Sequence, residues 1–270
     1  MKRIYIAGMG GMVGSALEPF LKGKGYEVIR FADTVDGAFV VINLAGENIG
    51  RGFWTKKKKE KIHQSRVETT KRLVRMMEMA DKPPNIFISA SAVGFYGANA
   101  EEVNSEDCES GEDFLAKVCK DWEREANRYS KGRVVIARLG VVIAKTGGLL
   151  QKLSKIARFG LLGRFGSGEQ KTSWIAIDDL LEIIHYCITD NHITGAVNVT
   201  TVHPFSNKKC VELVTKSVGR LKFFPIPAIF IRWILGEKGT QLVLVDQSVY
   251  PKKLLESGYH FKFSHLSEVV

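Results

Sequence analysis

Short apolar runs alternate with helix-like segments along the first half of the chain. The runs are continuously apolar, as in strands buried on both faces, whereas the segments repeat apolar residues every three or four positions, as in helices with one buried face. This alternation predicts a doubly wound α/β fold, in which helices cover both faces of a parallel sheet. The predicted strands lie at 4–7, 28–31, 39–44, 86–89 and 134–137, and the predicted helices at 13–22, 56–79 and 114–129.

The pattern changes after Gly147 and Gly148. Residues 149–172 are rich in glycine and basic residues, a further strand and helix are predicted over 174–184, and shorter amphipathic pieces follow Pro204. One of these pieces, "PIPAIFIRWILGE", has its large apolar residues on one side, which indicates a smaller C-terminal lobe packed on the main domain. We expect a main domain of residues 1–145 and 173–200, and a smaller C-terminal substrate lobe of residues 146–172 and 201–270.

Composition places the chain among ordinary globular proteins. Of its 270 residues, 45% are hydrophobic and 25% are charged, and no apolar segment is long enough to span a bilayer. The first residues run directly into a predicted strand and leave no room for a cleavable signal. The cysteines, which show no spacing typical of metal ligands, are Cys108, Cys119, Cys187 and Cys210. We therefore expect a cytoplasmic protein with reduced thiols, without a metal site and without membrane contact.

The formal net charge of +10 comes partly from one basic run, the four lysines at 56–59 followed by Lys61. A basic surface of this kind could bind nucleic acid, an anionic membrane or a phosphorylated ligand. No aromatic residues are interleaved with these lysines and no nucleic-acid motif accompanies them, so the run favours a solvated helix face. A basic adaptor that binds nucleic acid is the weakest of three functional alternatives.

A glycine-rich turn joins the first predicted strand to the first predicted helix. Gly8, Gly11 and Gly14 form the pattern G-x-x-G-x-x-G. Without side chains, the backbone of such a turn approaches a pyrophosphate, whose charge is held by N–H groups at the helix N-terminus, and the third glycine allows helix and strand to pack closely. The turn predicts a Rossmann-type site for NAD or NADP, formed by Gly8, Gly11, Met12, Val13 and Gly14.

The end of the second predicted strand bears on the choice of cofactor. An acidic residue there bonds the ribose hydroxyls of NAD, whereas an arginine accepts the 2′-phosphate of NADP. The segment "EVIRFAD" offers both Arg30 and Asp33. Both are candidate cofactor-binding residues, and they point to different cofactors.

Five motifs follow one another along nearly the whole chain: "VINLAGENIGRGFWTKKKKEKIHQSR", "ISASAVGFYG", "FLAKVCKDWE", "GSGEQKTSWIAIDD" and "YPKKLLESGYHFKF". Together they resemble the epimerase-like branch of the atypical extended short-chain dehydrogenases/reductases. The resemblance implies an NAD(P)-binding Rossmann domain with a small C-terminal lobe. We expect a small-molecule substrate, and a protein that is a monomer or a homodimer.

The resemblance also implies roles for individual residues. Asn43, Ala45 and Gly46 correspond to positions where related enzymes hold the ribose of the cofactor. Ser89 and Ser91 correspond to a strand end where such enzymes keep a hydroxyl that bonds the substrate carbonyl. The first three are therefore candidate cofactor-binding residues, and the two serines are candidate catalytic residues.

Related enzymes usually carry a catalytic tyrosine on the following helix, with a lysine four residues later that lowers the tyrosine pKa. Setting "LAKVCKDWE" against that helix places Leu115 and Cys119 at the two positions. The pair is therefore absent, as it generally is in this branch. Tyr96 is the remaining candidate proton donor, and its alternative role is that of a pocket wall or a packed ring with a satisfied hydroxyl.

The interval between the second and third predicted strands is short. Related chains usually fit an extra strand and helix there, whereas this chain has only "TVDGAFV" after Asp33. The sheet is therefore expected to lack one edge strand, which leaves the adenine pocket open or rebuilt from elsewhere.

The segment "GSGEQKTSWIAIDD" predicts a flexible loop over the cleft. Gln170 offers an amide and Trp174 offers a stacking face, so both are candidate substrate-binding residues. Arg66 and Arg138 are further candidates for binding a cofactor phosphate or an acidic substrate.

Two functions lead. The first is an NAD(P)(H)-dependent oxidoreductase or epimerase-like enzyme acting on a small carbonyl or sugar-like substrate, with Ser91 or Ser89 orienting the carbonyl and Tyr96 donating a proton. The second is a non-catalytic dinucleotide-binding protein, in which the cofactor stabilises a surface that binds a partner. Leu115 and Cys119 favour the second, whereas the glycine-rich loop favours a retained small-ligand pocket.

Overall fold

Strands and helices alternate in the computed structural model, which describes residues 1–30, 34–145, 147–220 and 224–270. The strands are β1 Arg3–Ala7, β2 Glu27–Arg30, β3 Val40–Asn43, β4 Ile86–Ala92, β5 Asn99–Asn104, β6 Arg133–Leu139, β7 Val141–Ile143, β8 Lys171–Thr172, β9 Trp174–Ala176, β10 Gly195–Val199, β11 Phe205–Ser206 and β12 Gln247–Val249. The helices are α1 Met12–Gly23, α2 Lys56–Glu78, α3 Phe114–Ala126, α4 Gly148–Arg158, α5 Ile177–Thr189, α6 Asn207–Ser217, α7 Ala228–Leu242 and α8 Lys252–Glu256, with 3₁₀ turns at Val93–Tyr96 and Leu266–Glu268.

Six of the strands form a parallel sheet in the order β10-β6-β4-β3-β1-β2. The chain leaves β1 toward β2 on one side and returns to β3 on the other side. The strand order therefore reverses beside β1, and ligands of doubly wound sheets bind at such a point. The α/β fold predicted from the sequence is confirmed. β2 is the edge strand of this sheet, as the short interval before β3 led us to expect.

The two faces of the sheet are covered by different helices. Ile4 and Ile6 of β1 pack in one apolar cluster with residues of α1 and α5, whereas Tyr5 and Ala7 pack in another with residues of α2 and α3. Side chains of a strand alternate between its two faces, so a strand covered by helices on both faces must be apolar at every position. This burial explains the continuous apolar runs in the sequence.

A third apolar cluster joins β7, β9, α4, α6 and the last 3₁₀ turn. It includes Ile143 and Trp174, which the sequence analysis assigned to the main domain, together with Leu150 and Val211. The cluster packs the C-terminal part of the chain against the segments that follow the sheet. The division into residues 1–145 with 173–200, and 146–172 with 201–270, stays a prediction.

The large apolar residues on one side of α7 are exposed. Trp233 is 83% exposed and Ile229 is 70% exposed, whereas Ile231 is buried. α7 bends at Gly236, and its second half lies against the first, because Gly239 approaches the backbone and side chain of Ile231. The hairpin therefore buries its own inner face and leaves the larger apolar residues outside.

The basic run lies at the start of α2 and is largely paired. Lys58 and Lys61 form ion pairs with Glu47, and Lys59 forms one with Glu237 of α7. These pairs favour the expected solvated helix face over a free cationic surface. Within the described ranges, no helix combines the length and the apolar character that crossing a membrane requires.

Candidate functional site

A cavity of about 480 Å³ lies at the carboxyl ends of the sheet strands, beside the point where the strand order reverses. Its walls come from the β1–α1 turn, the segments after β3 and β4, one side of α3, and the β6–β7 connection. Residues 171–173 and the second half of α7 close the far side. The cavity therefore runs from the glycine turn to the C-terminal part of the chain.

Two glycines of the turn are required by contacts that a side chain would break. Gly8 has φ +89°, and a Cβ there would lie 2.6 Å from the carbonyl carbon of Leu44. A Cβ on Gly14 would lie 2.4 Å from the carbonyl oxygen of Gly8. Gly8 therefore lets the turn pack on the segment after β3, and Gly14 lets α1 begin directly against the turn.

The N-terminus of α1 faces the cavity without a side-chain cap. Gly11 is the N-cap residue and carries no capping group, and the first turn of α1 contains no acidic residue. Gly11, Met12 and Val13 line the cavity. The first N–H groups of a helix lack partners within the helix and favour negative charge. The turn therefore fits a pyrophosphate, as the glycine pattern predicted.

The three predicted ribose residues have different placements. Ala45 and Gly46 line the cavity. The Asn43 side chain is fully buried and does not reach the cavity, because its Nδ2 donates to Thr70 Oγ1 at 2.8 Å and its Oδ1 accepts from the Ala45 N–H at 3.2 Å. Asn43 therefore shapes the segment that forms the wall, and its predicted direct contact with the cofactor is not supported.

The residues predicted to select the cofactor lie at the edge of the sheet. Arg30 is the last residue of β2 and is exposed, outside the walls of the cavity. Asp33 lies outside the described residues. Arg30 is therefore an exposed residue at the carboxyl end of the edge strand.

Of the two predicted catalytic serines, only Ser91 reaches the cavity. Ser91 Oγ donates to Glu123 Oε1 at 2.6 Å, so its proton is already engaged. Ser89 is fully buried, and its Oγ donates to the Ala90 carbonyl at 3.3 Å. The geometry does not support substrate binding by Ser89, because its side chain is fully buried and does not line the cavity.

Tyr96 lies in a buried polar network behind the cavity wall and does not line the cavity. Its hydroxyl donates to Asn198 Oδ1 at 2.7 Å and accepts from Arg138 Nη1 at 2.9 Å. Arg138 also forms a bidentate pair with Glu123, at 2.9 and 2.8 Å, and its guanidinium lies 3.5 Å from the centroid of the Phe95 ring. Burial raises the pKa of Tyr96 to about 12.

This placement does not support the predicted catalytic role of Tyr96. A proton donor must reach the reacting atom, and the hydroxyl proton of Tyr96 is donated to Asn198 inside the protein. The geometry fits the alternative role that the sequence offered, a packed ring with a satisfied hydroxyl. Arg138, the other candidate in the network, is committed to Glu123.

One side of α3 forms an apolar wall of the cavity. Leu115, Cys119 and Trp122 are spaced by four and three residues, so they share a helix face, and all three line the cavity. Burial raises the pKa of the Cys119 thiol to about 12. Cys119 is therefore a neutral thiol, and neither it nor Leu115 performs the chemistry of a tyrosine–lysine pair.

Gln170 and Trp174 point away from the cavity, so the geometry does not support their predicted contact with substrate. Gln170 Nε2 donates to the carbonyls of Phe165 and Val243, at 2.9 and 3.4 Å. Trp174 is fully buried, and its Nε1 donates to the His203 carbonyl at 2.8 Å. Both side chains join loops of the C-terminal part, a role that residue type alone did not indicate.

The sequence analysis missed several residues of the cavity wall. Trp122 follows Cys119 by three positions, so extending the helix face by one turn could have identified it. Leu242 and Val245 come from the end of α7 and the residues after it, where no motif pointed to the cavity. Arg66, one of the weaker candidates, does line the cavity.

A parallel sheet whose strand order reverses beside a glycine turn, with a cavity at the carboxyl ends of its strands, is the architecture of Rossmann-type dinucleotide-binding proteins. The match to known families is more specific. The chain belongs to the NAD dependent epimerase/dehydratase family, which it matches over residues 30–200. Residues 226–270 match a second family, described as a domain of unknown function (DUF1731). The predicted cofactor class, NAD or NADP, is confirmed at the level of the family.

Relatives of similar length occur in distant organisms. The chain is 30% identical to the epimerase family protein MT2273 of Mycobacterium tuberculosis over 290 aligned positions, covering 99% of this chain and 96% of that protein. It is 35% identical to YfhF of Bacillus subtilis over 230 positions, covering 84% and 75%. A crystal structure of the human epimerase family protein SDR39U1 with NADPH superposes with a TM-score of 0.93 at 28% identity, covering 99% of this chain and 97% of that one.

The close contact at Gly14 predicts a sharp difference between two glycine variants. We expect Gly14→Ala to destabilise the protein by about 1–3 kcal/mol, because the added methyl overlaps the Gly8 carbonyl and the helix must shift. Gly10→Ala is the matched control, since a Cβ there meets no atom within 4 Å. Urea unfolding of the two variants measures the difference. Equal stability of the two variants would contradict the packing described for the turn.

The burial of three cysteines predicts their reactivity. Burial raises the pKa values of Cys119, Cys187 and Cys210 to about 12, so only roughly one thiol in ten thousand at each site is a thiolate near pH 8. We expect a disulfide reagent to modify only Cys108 in the folded protein, and this single reaction to disappear in Cys108→Ser. All four cysteines should react in concentrated guanidinium chloride. Rapid native modification of Cys119 would show that its thiol is accessible and ionised.

Proposed function

We propose that this protein binds NADP(H) in the cavity, and that it catalyses an oxidoreductase or epimerase-like reaction on a small carbonyl or sugar-like substrate. The observation that carries the proposal is the continuity of the cavity. It begins at the uncapped N-terminus of α1 and extends past Gly94 to α7, so one cavity joins the glycine turn to the C-terminal part of the chain.

Several residues fit the cofactor. The N–H groups that follow Gly11 would hold the pyrophosphate, and the backbone at Ala45 and Gly46 would lie along the remainder of the dinucleotide. Nicotinamide cofactors supply a hydride or accept one. The apolar side chains of α3 would exclude water from the cavity beside the cofactor.

Arg30 supports NADP(H) over NAD(H). Its guanidinium is exposed at the end of β2, where a dinucleotide-binding sheet meets the ribose that carries the 2′-phosphate. The similar human protein was crystallised with NADPH. An arginine binds a phosphate by charge-assisted hydrogen bonds, which are about twice as strong as neutral ones.

The far part of the cavity favours a small carbonyl compound over a sugar-like one. Two of its polar side chains, Gln247 and Gln241, are already engaged within the protein: Gln247 Nε2 donates to the carbonyls of Val93 and Gly97, at 2.8 and 2.7 Å. Gln241 Oε1 accepts from the Leu115 N–H at 3.2 Å. A sugar with many hydroxyls needs free partners, since a buried polar group without a hydrogen bond costs about 1–3 kcal/mol.

A second candidate function is binding of the dinucleotide without turnover. The specific observation in its favour is the apolar face of α3, where Leu115 and Cys119 stand in place of a tyrosine–lysine pair. Tyr96 does not compensate, because its hydroxyl is bonded behind the cavity wall. In this alternative the cofactor would stabilise a surface for a partner.

The cofactor preference is tested by titrating the folded protein with NADPH, NADP, NADH and NAD. We expect NADPH at one hundred times its dissociation constant to stabilise the protein by about 2.7 kcal/mol in thermal unfolding. Arg30→Ala should weaken NADPH binding roughly tenfold or more, since a hydrogen bond to a charged group contributes about 1.5–3 kcal/mol, and should leave NADH binding unchanged.

Arg124→Ala is the matched control for loss of charge, because Arg124 is exposed on α3 and pairs only with Asp121 among the recorded ion pairs of the described residues. Its affinity for NADPH should equal that of the unaltered protein. No response to any of the four cofactors would reject the proposed function. If Arg30→Ala weakened the binding of NADH and NADPH equally, the proposed role of Arg30 would be rejected.

Turnover is tested with NADPH deuterated at the transferable position and a panel of small ketones and aldehydes. We expect deuterium in the alcohol product of an apolar carbonyl compound, and no loss of this transfer in Tyr96→Phe once the variant is shown to be folded. Transfer that requires the Tyr96 hydroxyl would contradict the placement of that side chain. NADPH binding without any transfer across the panel would favour the non-catalytic alternative.

A further inference from the structure

The cavity has cationic side chains on its walls and no acidic one. Among the described residues that line it, the charged ones are Arg66 and Lys171. A cleft lined by one sign of charge, with apolar walls around it, concentrates ions of the opposite sign. The charge of these walls therefore favours a ligand with an anionic group.

Arg66 is partly buried and lacks a carboxylate partner. Its Nη1 donates to the carbonyls of Glu47 and Ile62, both at 3.1 Å, and no ion pair of Arg66 is recorded within the described ranges. The carboxylate of Glu47 is bound instead by Lys58 and Lys61, at 2.5 and 3.2 Å. Burial lowers the pKa of Arg66. Buried charges in proteins are ordinarily paired, so this guanidinium lacks the anion that would balance it.

Two other arginines show a different arrangement. Arg138 forms a bidentate pair with Glu123, and Arg133 donates from both Nη1 and Nη2 to backbone carbonyls. Arg66 donates from Nη1 alone. The edge formed by its Nε and Nη2, which is the edge that commonly binds a carboxylate, makes no hydrogen bond to the described part of the protein.

This unused edge of Arg66 is accessible from the cavity. Neither nitrogen is among the sealed, unpartnered atoms of the described chain, so both keep accessible surface. The guanidinium lies against Gly46 and 5.3 Å from the centroid of the Trp122 ring, and both of these residues line the cavity. A Cβ on Gly46 would lie 3.0–3.3 Å from Cζ, Nη2 and Nε, so a glycine at this position keeps the edge uncovered.

The anionic groups of the cofactor have other partners in the proposed binding mode. The pyrophosphate is held at the N-terminus of α1, and the 2′-phosphate is held by Arg30 at the end of β2. Gly46 follows β3, on the opposite side of β1 from β2. The nicotinamide half carries no acidic group beyond the pyrophosphate, so the edge of Arg66 is left for a second ligand.

We propose that the Nε–Nη2 edge of Arg66 binds a carboxylate of the substrate, and that the substrate is a small oxo acid with an otherwise apolar chain. The planar fork of an arginine matches the two oxygens of a carboxylate, each of which accepts one N–H. The apolar α3 face would contact the chain of the substrate. The inference rests on the proposed function, and it names the substrate class of the same cavity.

The test measures the binding of oxo acids to the protein saturated with NADP, the oxidised cofactor, which has no hydride to transfer. The probes are 2-, 4- and 5-oxohexanoate and their methyl esters, which keep the carbonyl and the chain but lose the charge. Arg66→Gln keeps a hydrogen-bond donor without the charge, and Arg66→Lys keeps the charge without the fork. Calorimetric titration measures each affinity, and thermal unfolding shows that each variant is folded.

We expect at least one oxohexanoate to bind about tenfold more tightly than its methyl ester. Arg66→Gln should weaken this binding about ten- to hundredfold, the range that hydrogen bonds to a charged group span. Arg66→Lys should weaken it less, because the ammonium still attracts the carboxylate. The affinity for NADP should change by less than about twofold in both variants, because its phosphates are held elsewhere.

Arg133→Gln is the matched control, because its guanidinium also bonds backbone carbonyls inside the protein but does not line the cavity. It should leave the affinities for the oxo acids and for NADP unchanged. Oxo acids that bind no better than their esters, or that keep full affinity in Arg66→Gln, would overturn the inference and leave the proposed function intact.

The affinity for NADP distinguishes a substrate carboxylate from a cofactor phosphate. If Arg66→Gln weakened the binding of NADP as much as that of the oxo acid, the guanidinium would belong to the cofactor site and the inference would be overturned. Absence of NADP and NADPH binding to the unaltered protein would overturn both the inference and the proposed function.

Discussion

The close packing of Gly8 on the backbone of Leu44 and Ala45 is the contact on which the site depends. It brings the turn after β1 against the segment after β3, on the side where the strand order reverses. Gly14 in turn holds the start of α1 against Gly8. The helix N-terminus, the cavity and the walls formed by Gly46 and Arg66 all follow from these contacts, because each element is positioned by the backbone beside it.

A second constraint is the buried pair of Arg138 and Glu123. Two buried charges are tolerated only with full hydrogen bonding, and this pair recruits Ser91 and Tyr96 to complete it. The hydroxyl groups of Ser91 and Tyr96, which were predicted to be catalytic, are therefore hydrogen-bonded to this buried pair. The cavity keeps an apolar α3 face, formed by Leu115, Cys119 and Trp122.

The fold was predictable because its signals are local. Continuous apolar runs indicate strands that are buried on both faces. The glycine pattern indicates a turn that has no room for side chains. The site was predictable only in part. Tyr96, Gln170 and Trp174 have the chemistry of ligand-binding residues. Each nevertheless bonds an internal partner far away in the sequence: Asn198 for Tyr96, Val243 for Gln170 and His203 for Trp174. The residue type determines which hydrogen bonds a side chain can form. Only the tertiary structure determines whether those hydrogen bonds are already made within the protein.

The sequence by itself determined the alternating elements, the parallel sheet with β2 at its edge, the glycine turn and the cofactor class, because each depends on residues near one another in the chain. The tertiary structure alone decided which polar groups face the cavity. Trp122 and Arg66 lie on different helices and meet only when α2 and α3 pack on the same face of the sheet. Long-range packing therefore decides which side chains line the cavity, because hydrogen-bond partners distant in the sequence hold Tyr96 and Trp174 away from it.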